Sequence, residues 1–122
     1  MAEVTRILKN GGVNLRAIMI ADTADFGILR IIVDDPPHAI KVLTDAKFTT
    51  RTTDVLSVTI PDKVGSLSMV LDLFEKHSIN IEYLYAALDK IDETAVIIFK
   101  VENIEKGLKV VEINGLGSSI KF

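Results

Sequence analysis

The chain predicts an α+β fold made of two tandem βαββαβ units with antiparallel sheets, the first unit lacking its opening strand. Three observations lead there. The 122-residue sequence matches itself at a fixed displacement, each half alternates strand-period with helix-period segments, and the first half has no counterpart of residues 55–66.

Displacing the sequence by 66 positions sets residues 1–18 on residues 67–84, with Val4 on Val70, Ile7 on Leu73, Leu8 on Phe74, Val13 on Ile79 and Asn14 on Asn80. Past the next turn the displacement becomes 68, so that Ile32 meets Lys100, Ile40 meets Leu108 and Val42 meets Val110. The difference of two residues falls in a hairpin, where repeats tolerate changes in length. The expected units are residues 1–54 and 55–122.

The second unit can be read in order. Leu56, Val58 and Ile60 alternate with Val55, Ser57 and Thr59, which gives a strand with one strongly apolar face. Pro61, Asp62, Lys63, Val64 and Gly65 break it, and Ser66 is placed to cap a helix carrying Leu67, Val70, Leu71 and Phe74 at amphipathic spacing. That helix should end near His77 and Ser78. Residues 79–88 form the next strand, with Tyr83 and Tyr85 expected on the face of Ile81, then residues 89–93 an acidic turn and 94–101 a nearly continuous apolar strand. Asn103 caps a second helix, and Gly115 and Gly117 lead into a short strand at 118–122.

The first unit repeats this succession from the first helix onward. A helix over residues 1–10 stops at Gly11 and Gly12, and strands follow at 14–21 and 26–33. Asp35 caps a helix that begins with Pro36 and Pro37, where proline is tolerated because those amides have no helical partner. A final strand is expected within 48–53. The absent first strand is central in a split βαβ sheet, so its loss opens the middle of the sheet. Three explanations stand: the natural chain begins further upstream, another chain lends the strand, or the first unit has rearranged. Unpaired buried backbone groups cost about 1–3 kcal/mol each, which favours the first.

The bulk composition narrows the function. With 14 basic and 17 acidic side chains in no like-charge block, the net charge of −3 argues against nucleic acid as a partner. The absence of Cys removes thiolate catalysis, thiolate metal sites and disulfides. The N-terminus lacks the basic flank and apolar core of a targeting signal, and no apolar run suits a membrane span; a soluble cytoplasmic protein is expected. His38 and His77 lie near helix ends with no nucleophile or ligand set beside them, so neither catalysis nor a metal or cofactor is expected.

The stretch Ile60-Pro61-Asp62-Lys63-Val64-Gly65-Ser66-Leu67, the stretch Phe74-Glu75-Lys76-His77-Ser78-Ile79-Asn80-Ile81, and Gly11-Gly12-Val13-Asn14-Leu15 together resemble the ACT domain. This is a ferredoxin-like regulatory module, often paired and often binding amino acids. The resemblance covers essentially the whole chain and is strongest to small stand-alone bacterial proteins with two ACT units and no catalytic domain. The family commonly has Pro before the loop glycine, where this chain has Val64, leaving the loop less constrained.

The resemblance implies that the strand-to-helix loop of one unit lies beside the start of the second strand of the other, with the ligand between. Here that pairs Asp62, Lys63, Val64, Gly65, Ser66 and Leu67 with Asn14 and Leu15, while Asn80 would need the loop that the first unit lacks. An amino acid needs donors for its carboxylate and acceptors for its ammonium. A helix start at Gly65 to Leu67 offers the first, Asp62 the second, and the Asn14 carboxamide both. Each also has a plain structural reading, since Asp, Lys and Gly are ordinary turn residues and Asn often serves its own backbone. The competing function is a ligand-free assembly module that pairs through sheet edges and apolar sheet faces, for instance as a homodimer.

Overall fold

The computed structural model describes residues 2–22, 27–88 and 93–121. Met1, Phe26, Phe122 and residues 89–92 of the expected acidic turn lie outside the described residues. The chain divides into two compact units, residues 1–53 and 54–122.

In the first unit α1 (Ala2–Asn10) is followed by β1 (Leu15–Asp22), β2 (Gly27–Val33) and α2 (Pro36–Asp45). Helix α1 ends because Gly12 adopts a φ of +73°, which turns the chain so that the Val13 N–H donates to the Leu8 carbonyl at 2.9 Å. Strands β1 and β2 pair antiparallel from Leu15↔Val33 to Asp22↔Gly27, with an irregularity at Arg16. Asp35 caps α2 by accepting from the His38 N–H at 3.2 Å, with prolines in the first two helical positions as expected. Leu8, Val13, Val33, Ala39 and Leu43 form the core.

The expected final strand within residues 48–53 does not form. A strand exists only through a ladder with a neighbour, and among the described residues the sheet of this unit contains β1 and β2 alone.

The second unit comprises β3 (Val55–Pro61), α3 (Ser66–Lys76), β4 (Ile81–Ala86), β5 (Thr94–Val101), α4 (Ile104–Ile113) and β6 (Gly117–Lys121). Its antiparallel sheet has the order β4-β5-β3-β6, which makes β3 the strand that joins β6 to the rest. Leu56, Val58 and Ile60 of β3 meet Ile97, Phe99 and Val101 of β5 on one face, where Val70 and Phe74 of α3 and Val110 and Val111 of α4 cover them. Phe74 meets Phe99 edge to face, with ring centroids 5.1 Å apart. Full burial of an aliphatic side chain is worth about 1.5–3 kcal/mol, so β3 supplies a large share of this unit's cohesion.

The two units share a register. Leu15↔Val33, Ala17↔Ile32 and Ile18↔Ile31 in the first recur as Ile81↔Val101, Tyr83↔Lys100 and Leu84↔Phe99 in the second, at the displacements of 66 and 68. Both interrupt at the same place, Arg16 in one and Glu82 in the other. This bulge corrects the expected placement of the tyrosines. An extra residue at Glu82 reverses the alternation, so Ile81 and Leu84 both pack on the core, while Tyr83 and Tyr85 stack on the opposite face with ring centroids 6.3 Å apart. Glu82 reaches Lys100 at 3.1 Å, an ion pair at the surface with Glu82 exposed and Lys100 half-buried, worth little to stability.

Candidate functional site

Asn14 stands between the Gly12 turn and β1, with its backbone held at both ends by Asp34. Its N–H donates to Asp34 Oδ1 at 3.1 Å, and its carbonyl accepts from the Asp34 N–H at 3.2 Å. The plain reading, in which the Asn14 side chain serves its own backbone, therefore does not apply. A neighbouring carboxylate does that task, and among the described residues no hydrogen bond engages the exposed Asn14 carboxamide.

Asn14 and Leu15 line a shallow depression of about 380 Å³ together with Thr5, Leu8, Lys9, Gly12 and Val13. Thr5 and Lys9 were not singled out from the sequence. Their signal was present, because residues four apart on α1 share a face, and that face meets the turn before Asn14. The residues lining this depression thus include one basic residue, Lys9, and one whose carboxamide can both donate and accept, Asn14.

In the second unit the loop after β3 is held by main-chain hydrogen bonds, one of them to the residue before β5. The Asp62 N–H donates to the Glu93 carbonyl at 2.7 Å, the Lys63 N–H to the Pro61 carbonyl at 3.0 Å, and the Ser66 N–H to the Lys63 carbonyl at 3.2 Å. Gly65, at a φ of +89°, occupies the N-cap of α3. This corrects the expectation for Ser66, which is the first helical residue and is 7% exposed. A left-handed cap admits glycine without strain, and glycine brings no side chain to the first-turn amides. Helix α3 therefore starts with no side-chain cap, and the positive end of its dipole stays open.

The loop residues divide by direction. Asp62, Lys63, Val64 and Gly65 are exposed, and Val64 has its side chain wholly in solvent at 103%. Ser66 is turned inward and Leu67 packs against the core, so these two offer a ligand their main chain only.

Asn80 repeats the setting of Asn14, with its carbonyl accepting from the Glu102 N–H at 3.0 Å and its side chain exposed. It precedes Ile81, which pairs with Val101, whereas Pro61 at the start of the loop pairs with Thr94. Asn80 and the Asp62–Gly65 loop thus stand at opposite ends of β5, separated by roughly 20 Å at about 3.3 Å per residue. No molecule the size of an amino acid can touch both within this unit.

The histidines have structural tasks. His38 Nε2 lies 2.7 Å from the Gly11 carbonyl and ties α2 to the end of α1, and His77 is the C-cap of α3. Among the described residues no group of three or more His, Asp or Glu side chains gathers as a metal site would require, and no helix is long and apolar enough to cross a membrane.

Comparison with known proteins found no match among curated sequences. Among solved structures, protein BT0572 from Bacteroides thetaiotaomicron is 34% identical, with a TM-score of 0.89, over 98% of this chain and 81% of its own. The ligand-free regulatory subunit of aspartate kinase from Thermus thermophilus is 14% identical, with a TM-score of 0.47, over 57% of this chain and 50% of its own. A sequence model described as an ACT domain pair matches residues 1–119, nearly the full length over which the repeated register and caps run. The chain belongs to the family of paired ACT domains.

Proposed function

We propose that this protein is a non-enzymatic regulatory or sensing protein whose ligand is a free amino acid, held between the two units by Asp62 to Ser66 on one side and Asn14 on the other. The carrying observation is the state of Asn14: its backbone is satisfied by Asp34, and among the described residues no hydrogen bond engages its exposed carboxamide. The separation of Asn80 from the loop by the length of β5 supports a ligand shared by different units, since one unit cannot bring both halves together. In this reading the first-turn amides of α3 take the ligand carboxylate, while Asp62 and Asn14 take its ammonium.

Thermal denaturation with each of the twenty amino acids tests this. A ligand at about 100 times its Kd stabilises the folded chain by about 2.7 kcal/mol, which is several degrees for a protein of this size. The expected result is a rise in Tm for one or a few related amino acids, lost in Asn14→Ala and in Asp62→Ala. If none of the twenty moves the transition, or both variants keep the full response, the proposal fails.

A further inference from the structure

The chain holds two Asn-Gly pairs at helix ends, Asn10-Gly11 where α1 stops and Asn114-Gly115 where α4 stops. Such a pair is open to attack on the asparagine carboxamide by the next main-chain nitrogen, because glycine puts no side chain in the way. Asn14, Asn80 and Asn103 precede Leu15, Ile81 and Ile104, which do. The two pairs differ in how the carboxamide is held. Asn114 Nδ2 donates to the Val110 carbonyl at 2.8 Å, which ties it back along α4. Asn10 is exposed, and among the described residues no hydrogen bond engages its carboxamide.

We propose that Asn10 is a site of spontaneous deamidation in the folded protein, while Asn114, in the same Asn-Gly pair, is protected. The Gly11 nitrogen gives its proton to solvent base and bonds to Asn10 Cγ, closing a cyclic imide. The Cγ–Nδ2 bond breaks, and Nδ2 takes a proton from water and leaves as ammonia. Water then opens the ring at either carbonyl, leaving aspartate or, with one extra carbon in the main chain, isoaspartate. The gate is a main-chain bond: the Gly11 N–H donates to the Ile7 carbonyl at 3.0 Å and must be released before attack, which helix ends allow more readily than helix centres. At Gly115 a comparable bond, to the Glu112 carbonyl at 3.1 Å, is backed by the second lock on the Asn114 carboxamide.

The product acts on the joint between α1 and α2. Gly11 is fixed by its N–H on Ile7, by its carbonyl 2.7 Å from His38 Nε2, and by Val42, whose Cγ1 would lie 3.1 Å from an added Cβ. An extra carbon ahead of Gly11 cannot keep all three in place, and the new carboxylate stands at the negative end of the α1 dipole. Deamidation therefore loosens the first unit and leaves the second intact. It does not depend on amino-acid binding.

The test incubates the whole folded chain at mildly alkaline pH beside the same chain in concentrated urea, and follows both pairs by peptide mapping with mass spectrometry. The urea sample gives each pair its rate without structure. Relative to that rate, folding should slow Asn114 at least about fivefold more than Asn10, as expected when one site has a further hydrogen bond to break. In the isoaspartate fraction, exchange of the amides at residues 11–13 should quicken, with residues 115–116 unchanged. Equal slowing of the two pairs, greater slowing at Asn10, or unchanged exchange at residues 11–13 overturns the proposal. Because the protein carries no substitution, no outcome rests on a misfolded variant.

Discussion

Residues 1–53 and 54–122 run through the same turns, caps and bulge, yet one builds a two-stranded sheet and the other a four-stranded one. Helix ends agree down to single bonds. The Val13 N–H reaches the Leu8 carbonyl as Ile79 reaches Phe74, and Asp35 caps on His38 as Asn103 caps on Lys106. The hairpin register agrees as well. What differs is everything that passes through β3: the burial of its neighbours, the existence of β6, and the closure of the core. Local devices therefore do not need the complete sheet, and the sixth strand does.

The largest expected effect separates the units by core closure. Phe99 is fully buried against Phe74 and the β3 side chains, so Phe99→Ala should cost the second unit about 4 kcal/mol. Its counterpart Ile31 is half-buried beside an open edge, where solvent and neighbouring groups can relax into the space, and Ile31→Ala should cost about 1 kcal/mol. Urea denaturation followed by hydrogen exchange at α3 and at α1 assigns each loss to its unit. Equal costs would break the comparison, since they would mean that the first core is as closed as the second.

The same distinction decides what was legible in the sequence. The repeat, the four helices, the caps at Asp35 and Asn103 and the stop after Asn10 were readable, because each is set by a few adjacent residues. The strand expected within 48–53 was not, because its apolar and β-branched residues are necessary for a strand while its neighbour decides whether one forms. The bulge at Glu82 was hidden because Ile81, Tyr83 and Tyr85 keep an unbroken alternation on paper, and only the pairing reveals the extra residue. Gly65 displaced Ser66 as the cap through a backbone angle that the usual preference for serine does not weigh. At the candidate site Asn14 and the exposed loop residues were legible as polar groups beside turns. The inward direction of Ser66 and Leu67, and the company of Lys9, required the packing of α3 and α1.

A middle-sized effect sharpens the comparison from the other side. If caps are local, Asp35→Ala and Asn103→Ala should each cost about 1 kcal/mol in their own unit, although one cap belongs to a complete sheet and the other does not. Hydrogen exchange in the first turns of α2 and α4 measures both in one experiment. A markedly smaller cost at Asp35 would show that α2 is already frayed for want of the missing strand, and the caps would then count as part of the sheet's cooperativity.

The smallest effect comes from a place where the repeats assign glycine differently at nearly the same backbone angle. After α2 the chain turns at Lys47 with φ +68°, and after α4 it turns at Gly115 with φ +73°, each donating its N–H back to the helix, to Thr44 and to Glu112. A side chain in the left-handed region costs about 1–2 kcal/mol, partly offset because glycine loses more backbone freedom on folding. Lys47→Gly should accordingly stabilise the first unit by about 0.5 kcal/mol, and Gly115→Lys should destabilise the second by about the same amount. Steric contact does not complicate the second change, since a Cβ at Gly115 would meet no atom within 4 Å. Differential scanning calorimetry of the two single variants and of the double swap should give shifts of opposite sign that nearly cancel in the double. If Lys47→Gly instead destabilises by more than it relieves, the turn at Lys47 is held by something other than backbone angle, and the equivalence of the two units ends at α2.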